Sequence, residues 1–200
     1  MFNRILREFV QSYRGKPLWV VSMGAGVSLS NIMLVPGSSR IMYRFDAPYA
    51  EEASNDIIRT STHVSEEAVH NILEWMRESY DNDLASPHGR DAWENFTCVA
   101  ISGALITNRV RQGRNKAWIG IAQRNRYELL DMDLHKEDST THTFLDDTGN
   151  LEEMRIAQDM AVSSYILKYL DGWNQVTPCG NLILPISHVR PIIGRSNYAP

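Results

Sequence analysis

Apolar side chains near the start of the chain recur at the spacing of one helix face. Those that follow the i, i+3, i+4, i+7, i+8 pattern are Phe2, Ile5, Leu6, Phe9 and Val10. Such a stripe predicts an amphipathic helix over residues 2–13 whose apolar face packs on a core. Gly15 and Pro17 end this helix, because neither residue continues a helix well.

Short apolar runs predict the strands. The first run, Leu18–Ser22, is followed by Gly24 and Gly26, which is typical of a buried strand that feeds a tight strand-to-helix turn. A short helix over residues 27–34 should come next. Further strands are predicted over residues 41–45, 96–101, 117–122 and 127–134. Because only the segment Gln123–Arg126 separates the last two, we expect them to form an antiparallel pair.

Two longer helices complete the pattern. Ser65, followed by Glu66 and Glu67, is a helix N-cap with acidic residues in the first turn. The predicted buried stripe of this helix is Val69, Ile72, Leu73 and Met76. A second helix is predicted over residues 151–170 with Asn150 as its cap. Its residues at helical spacing are Ile156, Met160, Ser163 and Leu167. This alternation predicts an α/β fold, a three-layer α/β/α sandwich with a mixed, mostly parallel sheet.

Composition excludes several classes of protein. The 200 residues are 43% hydrophobic and 22% charged, which suits a globular domain with one core. No run approaches the roughly 18 apolar residues of a membrane span, so we expect an intracellular, cytoplasmic protein. Cys98 and Cys179 make neither a metal-ligand spacing nor a disulfide framework. With 20 basic and 24 acidic residues the net charge is −4, which favours neither nucleic acid nor a membrane as partner.

The predicted organisation is one domain over residues 1–171 and a C-terminal extension over residues 172–200. The apolar run Leu182–Leu184, with Pro191 and Ile192 after it, is too apolar for a free tail. We expect the extension to cover its own domain or to add a strand to a sheet edge, either of its own domain or of a neighbouring subunit. A strand added to a neighbour would favour a homo-oligomer.

Strong catalytic motifs are absent from the sequence, which has no P-loop, no dinucleotide fingerprint and no Gly-x-Ser-x-Gly elbow. The most informative segment is Val35–Ser39, where two hydroxyls follow a Pro-Gly turn. Such hydroxyls either cap the turn or carry chemistry. Arg40 directly follows this turn, and Arg109 lies in a later basic loop. These arginines either bind a phosphate-bearing ligand or lie in solvent.

Six segments together carry a family resemblance. In chain order they are Ser22–Gly26, Val35–Ser39, Tyr49–Ala53, His63–Glu66, Ser102–Gly103 and Lys116–Trp118. Their order and spacing resemble those of the CinA C-terminal domain family, the nicotinamide mononucleotide deamidases, over residues 18–170. The resemblance implies hydrolysis of the amide of nicotinamide mononucleotide, a small phosphorylated nucleotide, to nicotinic acid mononucleotide and ammonia. It implies neither a metal nor another cofactor.

The resemblance also implies roles for individual residues. Ser39 stands where the family keeps its nucleophile, and Tyr49 and Ser102 stand at two supporting hydroxyl positions. Serine hydrolysis of an amide needs a base for the serine proton and donors for the oxyanion, and such hydroxyls serve positioning or relay. The implied substrate-binding residues are Ser22, Gly24, Ser38, Arg40, Gly103 and Arg109.

The chain departs from the family at three positions of the inferred site. The family lysine five residues after the tyrosine is Ser54 here, the Gly-Pro loop is replaced by Ala104–Asn108, and the closing Gly-Asp-Arg reads Asp146–Thr148. General-base assistance is worth roughly a hundred- to ten-thousandfold in rate. His63, Glu51 and Glu52 are conceivable substitute bases. Two hypotheses therefore stand: a nicotinamide mononucleotide deamidase, or a catalytically inactive CinA-like binding or assembly protein.

Overall fold

The computed structural model of the chain describes residues 2–83, 92–107, 113–123, 126–134, 150–174 and 186–194, the last range as backbone. The α-helices are α1 (Phe2–Ser12), α2 (Glu51–Ile58), α3 (Glu66–Asp83), α4 (Ala92–Asn95) and α5 (Asn150–Asn174). Two 3-10 helices span Val27–Leu34 and Ser38–Arg40. The strands are β1 (Leu18–Met23), β2 (Met42–Asp46), β3 (Thr97–Ala104), β4 (Lys116–Gln123), β5 (Arg126–Leu134) and β6 (Ile186–Gly194).

The strands form one six-stranded sheet in the order β2-β1-β3-β4-β5-β6. β1 pairs in parallel with β2 and β3, whereas β3–β4, β4–β5 and β5–β6 are antiparallel. The sheet is mixed, as predicted. It was predicted to be mostly parallel, however, and only two of its five strand pairings are parallel. The connections from β3 to β4 and from β4 to β5 are too short for a parallel crossover, which explains two of the three antiparallel pairings.

Helices cover both faces of the sheet because the strands alternate their apolar side chains. Leu18 and Val20 face one core, which they share with α1, α5 and the first 3-10 helix. Trp19 and Val21 face the other, which they share with α2, α3 and α4. The predicted three-layer α/β/α sandwich is therefore confirmed.

The predicted helices agree with the structure at α1, α3 and α5. Ser65 is the predicted cap, since its Oγ accepts a hydrogen bond from the amide of Ala68 at 3.1 Å. The stripe predicted for α5 is shifted, because Ile156 is 45% exposed while Gln158 and Asp159 are buried. No prediction covered α2, whose large apolar residues, Ile57 and Ile58, lie in its last turn.

The described parts of the C-terminal extension are residues 172–174, which end α5, and β6, which extends the domain's own sheet beside β5. The apolar run Leu182–Leu184 lies outside the described residues. Within the described helices, none is both long enough and apolar enough to cross a membrane.

Candidate functional site

The turn after β1 is built on two glycines in the left-handed region of backbone space. Gly24 has a φ of 75° and Gly26 a φ of 82°, values that residues other than glycine rarely adopt. A Cβ on Gly24 would lie 2.2 Å from the carbonyl oxygen of Gly103, and one on Gly103 would lie 2.3 Å from the Cβ of Ala25. The ends of β1 and β3 therefore meet in close backbone contact, which explains glycine at both positions.

The backbone amides of this turn converge on one carboxylate, that of Asp159 on α5. Its Oδ1 accepts hydrogen bonds from the amides of Gly26 at 2.6 Å and Val27 at 3.1 Å. Its Oδ2 accepts a third from the amide of Ser28 at 2.7 Å. These amides begin a 3-10 helix and have no acceptor within it, so they form a cradle for an anion. Asp159 is buried and fills that cradle with a side chain of the protein itself.

Two neighbours of Asp159 on α5 hold the chain that leaves β3. The Oε1 of Gln158 accepts a hydrogen bond from the amide of Ile106 at 2.8 Å. Arg155 donates from Nη1 to the carbonyl of the same residue at 2.8 Å. Consecutive turns of α5 thus tie the helix to the edge of the sheet at which β1 and β3 end.

A cleft of about 340 Å³ opens beside these contacts. We call it the polar cleft, and its lining residues are Gly24, Val27, Ser28, Ser30, Asn31, Tyr49, Leu105, Arg155, Ile156 and Asp159. Its volume lies at the lower end of the range for small-molecule sites, which is about 300–1,000 Å³. Arg155 and Asp159 are its charged residues. Hydroxyl and amide groups provide the remaining polar chemistry.

Two residues implied by the resemblance, Gly24 and Tyr49, line the polar cleft together. Tyr49 is 76% exposed and precedes α2. Its phenol is therefore accessible to a ligand in the cleft.

Ser22 and Ser102 point to opposite faces of the sheet. In the β1–β3 register Ser22 is paired with Ile101, and their side chains point to the same face of the sheet. Ser102 is the next residue along β3, so its side chain points to the opposite face. Ser22 donates to the carbonyl of Ala25 at 2.7 Å. Ser102 donates to the carbonyl of His63, before α3. Both hydroxyls are buried and engaged with backbone, and neither lines the polar cleft.

The predicted nucleophile and its neighbours lie on the second 3-10 helix, away from the polar cleft. Ser39 is exposed, and Ser38 is buried with its hydroxyl 3.5 Å from the carbonyl oxygen of Met33. Arg40 donates to the carbonyl of Val10 on α1. None of these three residues lines the polar cleft. The structure therefore does not bring Ser39 and Tyr49 into one cleft.

At the position of the family lysine, the side chain of Ser54 is hydrogen-bonded to the backbone of its own helix. Ser54 is buried on α2, and its Oγ donates to the carbonyls of Ala50 at 3.1 Å and Glu51 at 3.0 Å. Arg109 and the segment Asp146–Thr148 lie outside the described residues. Among the residues that are described, no three histidine, cysteine or carboxylate side chains are grouped so as to hold a metal ion.

Sequence reasoning missed Arg155 and Asp159, the charged residues of the polar cleft. A signal was present, since they stand at i and i+4 on one face of a long predicted helix, next to the buried positions. Hydrophobic periodicity does not register such residues, because they contribute polar groups to a buried face.

Comparisons with known proteins support the fold. No family model and no curated protein matches the sequence. Solved structures do match, among them the competence/damage inducible protein CihA from Agrobacterium tumefaciens, with a TM-score of 0.56 and 16% identity over 87% of this chain and 96% of that chain. A competence or damage-inducible protein from Enterobacter asburiae matches with a TM-score of 0.53 and 14% identity over 84% and 96%.

A CinA superfamily protein from Klebsiella pneumoniae matches with a TM-score of 0.52 and 14% identity over 84% of this chain and 99% of that chain. These structures share the α/β architecture across most of both chains. The chain therefore has the fold of the CinA proteins, and the resemblance inferred from its six segments is confirmed at the level of fold.

Proposed function

We propose that this chain is a CinA-like binding or assembly protein that does not hydrolyse nicotinamide mononucleotide. The observation that carries the proposal is Asp159, whose carboxylate accepts hydrogen bonds from the amides of Gly26, Val27 and Ser28. The anion cradle after β1 is thus occupied by the protein itself.

Because the cradle is occupied, the amides after β1 are not available as donors to an oxyanion. A tetrahedral intermediate develops an oxyanion, which must meet preorganised donors at about 2.7–3.1 Å. The three amides after β1 already donate to the carboxylate of Asp159, at 2.6–3.1 Å. A second anion beside Asp159, from an intermediate or a phosphate, would experience like-charge repulsion in a partly buried site.

The arrangement of the serines supports the same conclusion. Ser39 needs a base to remove its proton, and the position that the family fills with lysine is Ser54, whose hydroxyl is bonded within α2. Ser102 is on the opposite face of the sheet from Ser22 and is bonded to the backbone near α3. The groups implied by the resemblance therefore do not form a relay with Ser39.

A second candidate is the deamidase itself, and one observation favours it. Gly24 and Tyr49, both implied by the resemblance, line the polar cleft together with Arg155, a cation suited to phosphate. In that candidate Ser39 attacks the amide carbon, ammonia leaves, and water then hydrolyses the acyl-enzyme to nicotinic acid mononucleotide.

Ammonia release from nicotinamide mononucleotide separates the two candidates. Purified wild type and Ser39→Ala are compared at equal concentration, with circular dichroism to show that both are folded. We expect no release above the Ser39→Ala background. Turnover by wild type that disappears in Ser39→Ala would overturn the proposal and establish the deamidase.

A further inference from the structure

A second and larger cleft, of about 570 Å³, lies between α1 and the segment that joins the two 3-10 helices. We call it the apolar cleft, and its lining residues are Phe2, Asn3, Leu6, Arg7, Val10, Gln11, Asn31, Leu34, Val35, Pro36 and Met160. Most of these side chains are apolar, and the cleft shares only Asn31 with the polar cleft. Val35 and Pro36 belong to the segment Val35–Ser39 that carries the family resemblance, but none of the residues to which the resemblance assigns a role lines this cleft.

Leu34, which lines the apolar cleft, and Met33, which precedes it in the chain, are apolar residues exposed to solvent. Leu34 is 80% exposed and its neighbour Met33 is 52% exposed. A single exposed apolar residue needs no explanation, but adjacent ones beside an apolar cleft are typical of a surface that another molecule covers.

The charge of the apolar cleft is positive. Arg7 lines it and is exposed, and Arg40 reaches its wall by donating to the carbonyl of Val10. No acidic residue lines the cleft. Within the described residues, neither guanidinium has a carboxylate partner. These cations stand out on a chain whose net charge is −4.

We propose that the apolar cleft docks an amphipathic helical segment of a partner protein that carries carboxylates beside its apolar face. Apolar side chains of the segment would fill the cleft against Leu34, Val35 and Pro36, as in other helix-in-groove contacts. Its carboxylates would pair with Arg7 and Arg40, since arginine pairs well with carboxylates at interfaces. The proposal rests on the proposed function and supplies the partner class that a binding protein requires.

A second copy of this chain fits the apolar cleft less well than an acidic partner. A two-fold contact presents the same surface from both sides. It would place the guanidiniums of Arg7 and Arg40 from each copy near those of the other, with no carboxylate of the cleft between them. Like charges facing one another across an interface disfavour association.

The test uses a synthetic fluorescent peptide with leucines at i, i+3, i+4 and i+7 and glutamates on the flanking positions. A matched peptide has lysine in place of every glutamate. Binding of both to the full chain is measured by fluorescence anisotropy. We expect the glutamate peptide to bind, the lysine peptide to bind at least about tenfold more weakly, and Leu34→Ser to weaken binding.

Charge reversal at the cleft provides the matched control. Arg7→Glu should weaken the glutamate peptide about tenfold and strengthen the lysine peptide. Arg4→Glu makes the same change in net charge on α1, but Arg4 pairs with Glu8 and does not line the cleft, so binding should change little. Thermal unfolding shows that each variant is folded.

Three results would overturn the docking proposal. They are no binding of the glutamate peptide by folded wild type, equal binding to the Arg7→Glu variant, and a concentration-dependent dimer that Leu34→Ser abolishes in sedimentation. None of them affects ammonia release, so a failure of the docking proposal can be distinguished from a failure of the proposed function.

Discussion

The two clefts share Asn31 at the first 3-10 helix, yet they differ in what fills them. In the polar cleft both charged side chains are hydrogen-bonded to the backbone of the protein. Asp159 accepts from the turn after β1, and Arg155 donates to the carbonyl of Ile106. In the apolar cleft Arg7 has no carboxylate partner among the described residues, and Leu34 is in solvent. The charged groups of the polar cleft are thus hydrogen-bonded within the protein, whereas the apolar cleft presents an exposed cation and an exposed apolar side chain.

The largest difference between the clefts should appear at their glycines. Gly24 lines the polar cleft and Gly37 follows Pro36 of the apolar cleft, and both have positive φ. A Cβ on Gly24 meets the carbonyl of Gly103 at 2.2 Å, whereas one on Gly37 meets no atom within 4 Å. Gly24→Ala should cost about 2–5 kcal/mol from left-handed strain and overpacking, and Gly37→Ala only about 1–2 kcal/mol from strain.

Urea unfolding of both glycine variants measures this difference. Equal losses of stability would show that the end of β1 is not packed against β3 as described. They would also remove the structural contrast between the clefts.

A smaller effect is expected in alkaline solution, at the helix that walls the apolar cleft. Tyr13, just after α1, donates to the carbonyl of Lys16 at 2.7 Å, and its hydroxyl is 3.3 Å from the Oγ1 of Thr97. Burial raises the pKa of Tyr13 from 10.0 to about 12. The folded state therefore binds the phenolic proton more tightly than the unfolded state does.

The stability that Tyr13 contributes through this proton is complete below pH 10 and is lost as pH rises to about 12. The loss amounts to about 2–3 kcal/mol. Tyr13→Phe should remove this part of the alkaline destabilisation, at a cost of about 1 kcal/mol at neutral pH from the lost hydrogen bond. Denaturation midpoints at pH 8 and pH 11.5 check the prediction. A wild type and variant with parallel pH profiles would contradict it.

Sequence reasoning predicted the strands well because a buried strand is a short apolar run wherever it pairs. It missed α2 because Glu51–Ile58 buries little apolar surface, with Ile57 and Ile58 at its end. The stripe of α5 was misplaced because Gln158 and Asp159 are buried polar residues that hydrophobic periodicity counts as surface.

The candidate site was harder to predict than the fold, because residues that the motifs assign to one site do not lie together in the structure. Ser22 and Ser102 lie on neighbouring parallel strands, but a register that pairs Ser22 with Ile101 turns them to opposite faces. Register depends on tertiary pairing and cannot be read from the spacing of motifs. The closure of the cradle by Asp159 joins residues more than 130 positions apart, which no local motif specifies.

The most direct test of the proposed function is whether Asp159 keeps anions out of the polar cleft. Thermal unfolding of wild type, Asp159→Ala and Gln158→Ala is measured in sodium phosphate and in sodium chloride of equal ionic strength. Gln158→Ala is the matched control, since it removes a neighbouring hydrogen bond from α5 and leaves the cradle filled. We expect phosphate to stabilise only Asp159→Ala, because only that variant frees the amides of Gly26, Val27 and Ser28. Equal stabilisation of wild type and Asp159→Ala by phosphate would contradict it.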